Sequence, residues 1–392
     1  MTDSGAYLDY AATAPVDPRV AAAMLDCLDV QAGLGNPAAL SHAFGARARS
    51  RIATAAEEVA GLVHGAADFV IWTGSATEAI NLGVIGAARF RRSRGQHLVT
   101  SRIEHSAVLA SCAALEREGF EVSYVAPDAD GIVSPERVAA ALRPDTVLVS
   151  LMHANNELGT VQDIAAIGAL CRDRELLLHV DAAQSLGKLP LDMRGQSIDL
   201  LSLNAHKACG PPGIGALLLN PDTVRRVEPV LFGGGQQRGM RPGTLPVHQI
   251  VGFGTTCRIL RDEMAAETRR FAALREQLWE GIRDLPGLRL NGHPRRRLCH
   301  ILNVSVDGVE GESLRYALND LAVSSGSACT SATAEPSYVL RAIGLSDAAA
   351  EASIRFSLGR FTTAREIGFA VTVFRAAVEK LQALAPQPLC AG

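Results

Sequence analysis

The stretch TVLVSLMHANNELGTVQDIAAIGALCRDRELLLHVD, residues 146–181, contains the pattern that decides the fold. Its two ends, 146–151 and 176–180, are short apolar runs, which is typical of strands covered on both faces. Between them a helix is predicted to start near Asp163. The apolar face of this helix carries Ile164, Ile167 and Leu170. A strand, a helix and a second strand in this order indicate an α/β fold with a mainly parallel sheet.

The same alternation extends on both sides of this stretch. Further strands are predicted at 69–72, 97–100, 121–125, 200–203 and 216–219. Two of the helices between them have sequence signals that mark an end. One stops at Gly119, and another has Ser134 as N-cap and Pro135 at its first position. The helix that stops at Gly119 carries Val108, Leu109, Cys112 and Leu115 on one face.

After about residue 256 the regular alternation stops, which indicates a second part of the chain. A long amphipathic helix is predicted there, because one stripe of it carries Phe271, Leu274, Leu278, Ile282 and Leu285. We therefore expect an N-terminal segment, 1–15, that packs on the domains, and a large domain over 16–264. A smaller α+β C-terminal domain is expected over 265–392.

Composition excludes several classes of protein. The 392 residues are 48% hydrophobic and 20% charged with a net charge of −3, which argues against disorder and against direct binding of nucleic acid. No apolar run is long enough to span a membrane, and the first residues lack the pattern of a signal peptide. The eight cysteines include no pair separated by two residues, so neither a zinc site nor another metal site is predicted. We expect a reduced, cytoplasmic protein.

Polar residues follow the predicted strands, at the ends where open α/β sheets bind ligands. They are Gly74-Ser75-Ala76-Thr77 after the first strand, Glu104 and His105, Asn155 to Glu157, Asp181 and Gln184, and Asn204, His206 and Lys207. Such residues at five strand ends predict one buried polar ligand.

The residue types narrow the choice of ligand. Small residues at 74–77 open a helix whose free N–H groups suit a single phosphate, and neither a Walker loop nor a dinucleotide fingerprint is present. Partial burial would make the amine of Lys207 a nucleophile, and the carboxylate of Asp181 needs a cationic partner such as a protonated pyridine. Together these are the requirements of pyridoxal 5'-phosphate. Each residue also has a simpler interpretation: a helix cap for Asp181 or His105, and an exposed loop lysine for Lys207.

Cys329 lies in the run VSSGSACTSA, residues 323–332. Such small residues pack poorly, so an exposed loop is predicted. Two interpretations remain at this point: a reactive thiol, or an incidental cysteine in a serine-rich loop.

These motifs resemble those of the cysteine desulfurases of the IscS/NifS type, which are class V, fold-type I enzymes dependent on pyridoxal phosphate. The resemblance extends nearly end to end. The matching stretches are 7–15, 35–37, 76–78, Glu104-His105, 155–157, 179–184, His206-Lys207, 238–241, 243–247, 324–331 and 353–360. The short loop at 324–331 is similar to that of the group that supplies sulfur for iron–sulfur cluster assembly and tRNA thiolation.

The resemblance implies how the cofactor is held. Lys207 binds it covalently and moves protons, Asp181 keeps the ring nitrogen protonated, and His105 stacks on the ring and takes part in proton transfer. Gln184 and Asn156 bind the ring hydroxyl or orient the substrate. The phosphate is expected to contact Ala76, Thr77, His206 and Thr244, the last from the other subunit of a homodimer.

The resemblance also implies the reaction. Arg355 binds the carboxylate of L-cysteine, with Asn36 and Asn156 as further substrate contacts. Cys329 then attacks the substrate sulfur, which releases L-alanine and leaves a persulfide for an acceptor protein such as an iron–sulfur scaffold. Two alternatives stay open: a related lyase such as selenocysteine lyase, and an inactive cofactor-binding partner protein.

The sequence departs from the family pattern in three ways. Asn204 stands where a serine usually contacts phosphate, and we expect its amide to retain an altered contact. Ala39 replaces a usual serine. The sequence ends at Leu389-Cys390-Ala391-Gly392 without the longer tail that docks a cluster scaffold, so a different acceptor or docking mode is expected.

Overall fold

The computed structural model describes residues 5–30, 35–325 and 335–384, so Cys329 and Cys390 lie outside the described residues. Its central element is a seven-stranded sheet with the order β2-β8-β7-β6-β5-β3-β4. All strands are parallel except β8, which runs antiparallel to both neighbours. The strands are β2 (Val70–Thr73), β3 (His97–Ser101), β4 (Glu121–Val125), β5 (Thr146–Met152), β6 (Leu177–Asp181), β7 (Leu200–Asn204) and β8 (Gly215–Leu219).

The seven strands predicted from apolar runs are confirmed, each within one residue at either end. Every residue of six strands is buried, and only the edge strand β4 is partly exposed. Burial on both faces explains why the runs are continuous rather than alternating. The helices of this part are α1 (Pro18–Asp26), α2 (Ala43–Leu62), α3 (Ala76–Phe90), α4 (Ser106–Arg117), α5 (Pro135–Ala141) and α6 (Ile164–Arg172).

Each face of the sheet is covered by its own set of helices. Helices α3 and α4 pack with Ile71, Leu148 and Leu217 on one face. On the other face α2, α6 and the first half of α7 (Val247–Ile282) pack with Val149, Leu178 and other sheet residues. The predicted cap Ser134 and the predicted helix start near Asp163 are confirmed, since both side chains accept backbone N–H groups, at the starts of α5 and α6.

The C-terminal part has a second, three-stranded antiparallel sheet of order β12-β10-β9. Its strands are β9 (Leu288–Leu290), β10 (Ile301–Val306) and β12 (Ser353–Ser357). Two short strands, β1 (Ala6–Tyr7) and β11 (Leu321–Ala322), form a separate two-stranded sheet. The remaining helices are α8 (Gly311–Ala317), α9 (Tyr338–Ala342), α10 (Asp347–Glu351) and α11 (Ala364–Leu384). Strand β1 pairs with β11, and Ala6 and Leu8 join the core of this sheet.

The stripe predicted for a long helix is confirmed over Phe271 to Ile282, which lie on α7 and are mostly fully buried. The helix itself begins at Val247, so it extends through the boundary predicted at 264/265, and that division stays a prediction. In the described part of the chain no helix is long and apolar enough to cross a membrane. Five of the six described cysteines are buried and Cys299 is half-buried; all six are free.

A largely buried ion-pair network joins the start of α1 to α7 and to the loop between β12 and α11. Asp17 caps α1 and accepts hydrogen bonds from Arg19 and from Arg360, whose Nη1 atom lies 2.5 Å from Oδ2. Arg360 also pairs with Glu267 at 2.7 Å. The hydrogen bonds from Arg19 are the main cause of a pKa for Asp17 far below its usual range, and the bond from Arg360 adds to them.

We expect Asp17→Asn to lower the free energy of unfolding at pH 7 by about 3 kcal/mol, because it leaves part of a buried charge network unpaired. A carboxyl with a depressed pKa stabilises the fold above its unfolded pKa of about 3.9 and loses that contribution as pH falls further. The difference between variant and wild type in urea unfolding should therefore shrink below about pH 4. Asp173→Asn, at an exposed pair with Arg172, is the control and should change little; equal effects would contradict the prediction.

Candidate active site

The polar residues at the strand ends surround one cavity of about 260 Å³. The residues predicted to bind cofactor or substrate that line it are Ala76, Thr77, His105, Asn156, Asp181, Gln184, Asn204, His206, Lys207 and Arg355. The expectation that these strand ends form one site is confirmed, because the parallel strands β3, β5, β6 and β7 end at the same edge of the sheet. The role of each residue stays a prediction.

Asp181 is the last residue of β6 and is almost completely buried. Its Oδ1 atom accepts the N–H of Ala183 at 2.9 Å, which turns the chain away from the strand. The bond closes a local turn, and no helix follows between β6 and β7, so Asp181 is not the helix cap of the simpler interpretation. The same carboxylate lines the cavity, so it is also placed to face a cation there.

His105 combines a helix cap with a place in the cavity. The N–H of Ala107 donates to its Nδ1 at 3.1 Å at the start of α4, so the ring proton of the neutral form lies on Nε2. The pKa of His105 lies below its ordinary value. Burial is the main cause; the nearby Asp181 opposes it and Lys207 adds to it. The ring is therefore neutral at pH 7, and its predicted stacking on an aromatic ligand and its part in proton transfer stay predictions.

Lys207 follows β7 in a short 3-10 helix, His206–Ala208. Its backbone N–H donates to Oδ1 of Asn204 at 3.2 Å, and Nδ2 of Asn204 donates to the carbonyl of Ala183 at 3.4 Å. Asn204 thus joins the turn of Lys207 to the turn of Asp181. Its predicted contact with phosphate would be an additional role. Burial, with Lys207 nearby, lowers the pKa of His206 to about 4, so this ring is neutral too.

The start of α3 has the features of a phosphate site. Ser75 caps the helix by accepting the N–H of Glu78 at 3.2 Å, and Ala76 and Thr77 form its first turn beside the cavity. A side chain on Gly215 would place a Cβ 2.5 Å from the carbonyl carbon of Ser75, so only glycine allows β8 to pass this close. Backbone N–H groups at a helix start bind anions without a positive side chain.

Arg355 enters the cavity from β12 and is held from two sides. Its Nη1 donates to the carbonyl of Asn156 at 2.8 Å, and its Nη2 donates to Oδ1 of Asp9 at 2.7 Å. Its Nε–H is buried with no hydrogen-bond partner. Asp9 was missed as a site residue, since it is 346 positions away in the sequence and nothing local signals the contact.

The cavity fits pyridoxal phosphate together with an amino acid. Two polar atoms in its wall, Oδ1 of Asn156 and Nε of Arg355, are buried and without partners, so each can bind a ligand group. The helix start at Ala76 suits the phosphate, and the carboxylate of Asp181 suits a protonated ring nitrogen. Lys207 supplies the amine that this cofactor binds covalently.

Two predicted residues lie elsewhere. Asn36 and Thr244 line a second cavity of about 820 Å³, beside Trp72 and away from the residues of the first. For Thr244 the prediction was a contact with the other subunit. Cys329 lies outside the described residues, between Ser325 and Glu335.

Comparison with known proteins decides the family. The profile of the aminotransferase class-V family matches residues 6–368. A protein of Proteus mirabilis (strain HI4320) named cysteine desulfurase IscS is 54% identical over 97% of this chain and 94% of its own length. The chain belongs to the cysteine desulfurases of aminotransferase class V.

Two solved structures share the fold of this chain. A structure titled NifS-like protein has a TM-score of 0.88 at 31% identity and covers 96% of this chain and 100% of its own. One titled SspA in complex with cysteine has a TM-score of 0.81 at 35% identity and covers 91% of this chain and 99% of its own. The predictions of a fold-type I α/β enzyme, of a cysteine desulfurase and of pyridoxal 5'-phosphate as cofactor are confirmed.

Proposed function

We propose that this protein converts L-cysteine to L-alanine and leaves the sulfur as a persulfide on Cys329. The observation that carries the proposal is the convergence of Lys207, Asp181 and Arg355 on one cavity that fits the cofactor. The solved relative with bound cysteine supports L-cysteine as the substrate. Bound pyridoxal phosphate supplies an electron sink for bonds broken at the substrate's carbons.

Residues of this chain bind the substrate and move its protons. The Asp181 carboxylate holds the proton on the ring nitrogen. The Arg355 guanidinium binds the substrate carboxylate, and its orientation is set by Asp9 and by the carbonyl of Asn156. The Lys207 amine takes the proton from the substrate Cα and returns it in the formation of alanine. His105 is neutral and carries its hydrogen on Nε2, so it can donate a hydrogen bond into the cavity.

The sulfur transfer needs no external oxidant. The thiolate of Cys329 forms an S–S bond with the substrate sulfur while the C–S bond breaks. The electron pair of the C–S bond stays with carbon, which takes up a proton and leaves as the methyl group of alanine. The persulfide then passes to an acceptor protein, for which we propose an iron–sulfur scaffold, with tRNA thiolation as a further use.

We further propose that the protein works as a homodimer in the cytoplasm. Asn36 and Thr244, both expected at the active site, line the same separate cavity, which is consistent with a contribution to the site of a second copy. A persulfide carrier depends on a free thiol, and this favours a reducing compartment.

The test measures alanine and sulfide from L-cysteine in the presence of a thiol reductant. Wild type should release both in equal amounts, and Cys329→Ala should lose on the order of 100-fold or more of the rate. Cys299→Ala, which removes another free and incompletely buried thiol, is the control and should retain activity. Equal rates in wild type and Cys329→Ala would point to a lyase that does not need the thiol, with L-selenocysteine as the substrate to try.

A further inference from the structure

Thr13 makes a contact with the cavity wall that the proposed reaction does not use. Its Oγ1 atom lies 3.1 Å from Nδ1 of His206. The two residues are 193 positions apart in the sequence, and His206 lines the active-site cavity. The contact therefore joins the N-terminal segment to a side chain for which a contact with phosphate is predicted.

The backbone around Thr13 is held against the backbone of His206. The N–H of Ala14 donates to the carbonyl of His206 at 2.9 Å. The carbonyl of Thr13 accepts the hydroxyl of Tyr7 at 2.8 Å, and the N–H of Thr13 donates to the carbonyl of Asp9 at 3.4 Å. The hydroxyl of Thr13 is therefore a fixed hydrogen-bonding partner for the imidazole.

The same segment holds two other residues of the cavity wall. The carbonyl of Ala11 accepts Nε2 of Gln184 at 2.9 Å, and Asp9 accepts Nη2 of Arg355 at 2.7 Å. In both of these contacts the hydrogen has a fixed place on the donor. The contact of Thr13 differs, because an imidazole can carry its hydrogen on either of two nitrogens.

The place of that hydrogen decides whether His206 can bind a phosphate. His206 is neutral at pH 7, because burial, with the nearby Lys207, lowers its pKa to about 4. A neutral imidazole has one N–H group, and its other nitrogen only accepts hydrogen bonds. Phosphate oxygens are acceptors too. The ring nitrogen that faces a phosphate must therefore be the one that carries the hydrogen.

The contact with Thr13 indicates which nitrogen this is. Thr13 occupies Nδ1, so Nε2 is the ring nitrogen left to face a ligand in the cavity. A hydroxyl that donates to Nδ1 leaves the hydrogen of the neutral ring on Nε2. Without that donor the hydrogen can move to Nδ1, and Nε2 then presents a lone pair to the phosphate.

We propose that Thr13 is a positioning residue for cofactor binding, which donates to Nδ1 of His206 and so keeps the hydrogen on Nε2, where it is donated to the phosphate of pyridoxal phosphate. The inference rests on the predicted contact between His206 and the phosphate. It does not depend on Cys329, and its test does not use L-cysteine.

The first experiment removes the cofactor from the purified protein and titrates it back. The ligands are pyridoxal phosphate and pyridoxal, which lacks the phosphate, and the absorbance of the bound ligand gives each Kd. Thr13→Val keeps the shape of the side chain without the hydroxyl. Its Kd for pyridoxal phosphate should rise about tenfold, the effect of one weakened hydrogen bond to a charged group, and its Kd for pyridoxal should stay within about twofold. Thr13→Ser should behave as wild type.

The chain offers a matched control in Thr146, whose Oγ1 lies 2.7 Å from Nδ1 of His97. This second threonine–histidine contact joins the starts of β5 and β3, at the end of the sheet opposite the cavity. Thr146→Val should leave both Kd values within about twofold of wild type. Equal weakening of pyridoxal phosphate by Thr146→Val and Thr13→Val would overturn the inference, and so would equal weakening of both ligands in Thr13→Val.

Nitrogen NMR of the holoenzyme with isotope-labelled histidine shows the position of the hydrogen directly, and His206→Gln identifies the signal. In wild type the ring of His206 should be neutral with its hydrogen on Nε2. In Thr13→Val a part of the hydrogen should lie on Nδ1. A wild-type ring with its hydrogen on Nδ1, or with hydrogens on both nitrogens, would overturn the inference.

Discussion

Lys207→Ala is expected to reduce alanine formation from L-cysteine by about 10³-fold or more, because one amine both binds the cofactor and moves protons at the substrate. The backbone of Lys207 should keep its place, since its N–H donates to Asn204 and this bond does not involve the lost side chain. The effect should therefore appear in kcat, with the fold and the stability of the protein nearly unchanged.

Two measurements distinguish this loss from misfolding. Borohydride should fix the cofactor to the peptide containing Lys207 in wild type and should leave that peptide unmodified in the variant. Methylamine added to the variant should restore part of the rate, because it replaces the missing amine. Lys207→Arg keeps the positive charge without a nucleophilic amine, and we expect it to be as inactive as the alanine variant. Retention of a tenth of the wild-type rate by either variant would contradict the assigned role.

The central sheet could be predicted because its strands are covered on both faces. A run such as Ala216 to Leu219 is then apolar throughout, and Ser134 and Asp163 mark where two of the helices begin. The reversed direction of β8 was not predicted. Residues 205–214, which join β7 to β8, are too few for a crossover helix, and this spacing is the signal that could have revealed it.

The site could be predicted for a related reason. Parallel strands end at one edge of the sheet, so residues that follow several strands, such as His105, Asp181 and Lys207, must lie close together. Contacts that join the sheet to distant segments could not be predicted in this way. Asp9 with Arg355, and Glu157 with Ser337, are separated by 346 and 180 positions, and no local pattern links their side chains.

Asp181→Asn tests the electrostatic part of the mechanism and has the second-largest expected effect. Asparagine has the size of aspartate and its Oδ1 can still accept the N–H of Ala183, so the turn after β6 should persist. What the variant loses is the negative charge that keeps the ring nitrogen protonated. We expect kcat to fall by about 10²- to 10³-fold, the usual effect of removing one group that stabilises developing charge in a site shielded from water.

A matched control lies at the opposite end of the same sheet. Asp199 is 5% exposed, as Asp181 is, and accepts the N–H of Leu178 at 2.7 Å directly before β7, beyond the amino ends of the strands. Asp199→Asn removes an equally buried carboxylate and should leave kcat within about twofold, because the lost charge is far from the substrate. If both variants lost activity equally, the role of Asp181 would be structural.

Reconstitution with a cofactor methylated on its ring nitrogen separates charge from shape. The methyl group makes the ring nitrogen permanently positive, so the carboxylate is no longer needed to hold a proton there. Such a cofactor should restore a substantial part of the rate to Asp181→Asn and none to Lys207→Ala, because the second variant lacks an amine and not a charge. If the methylated cofactor restored activity to neither variant, Asp181 would do more than hold the proton on the ring nitrogen. Its role would then have to include a direct contact with the substrate.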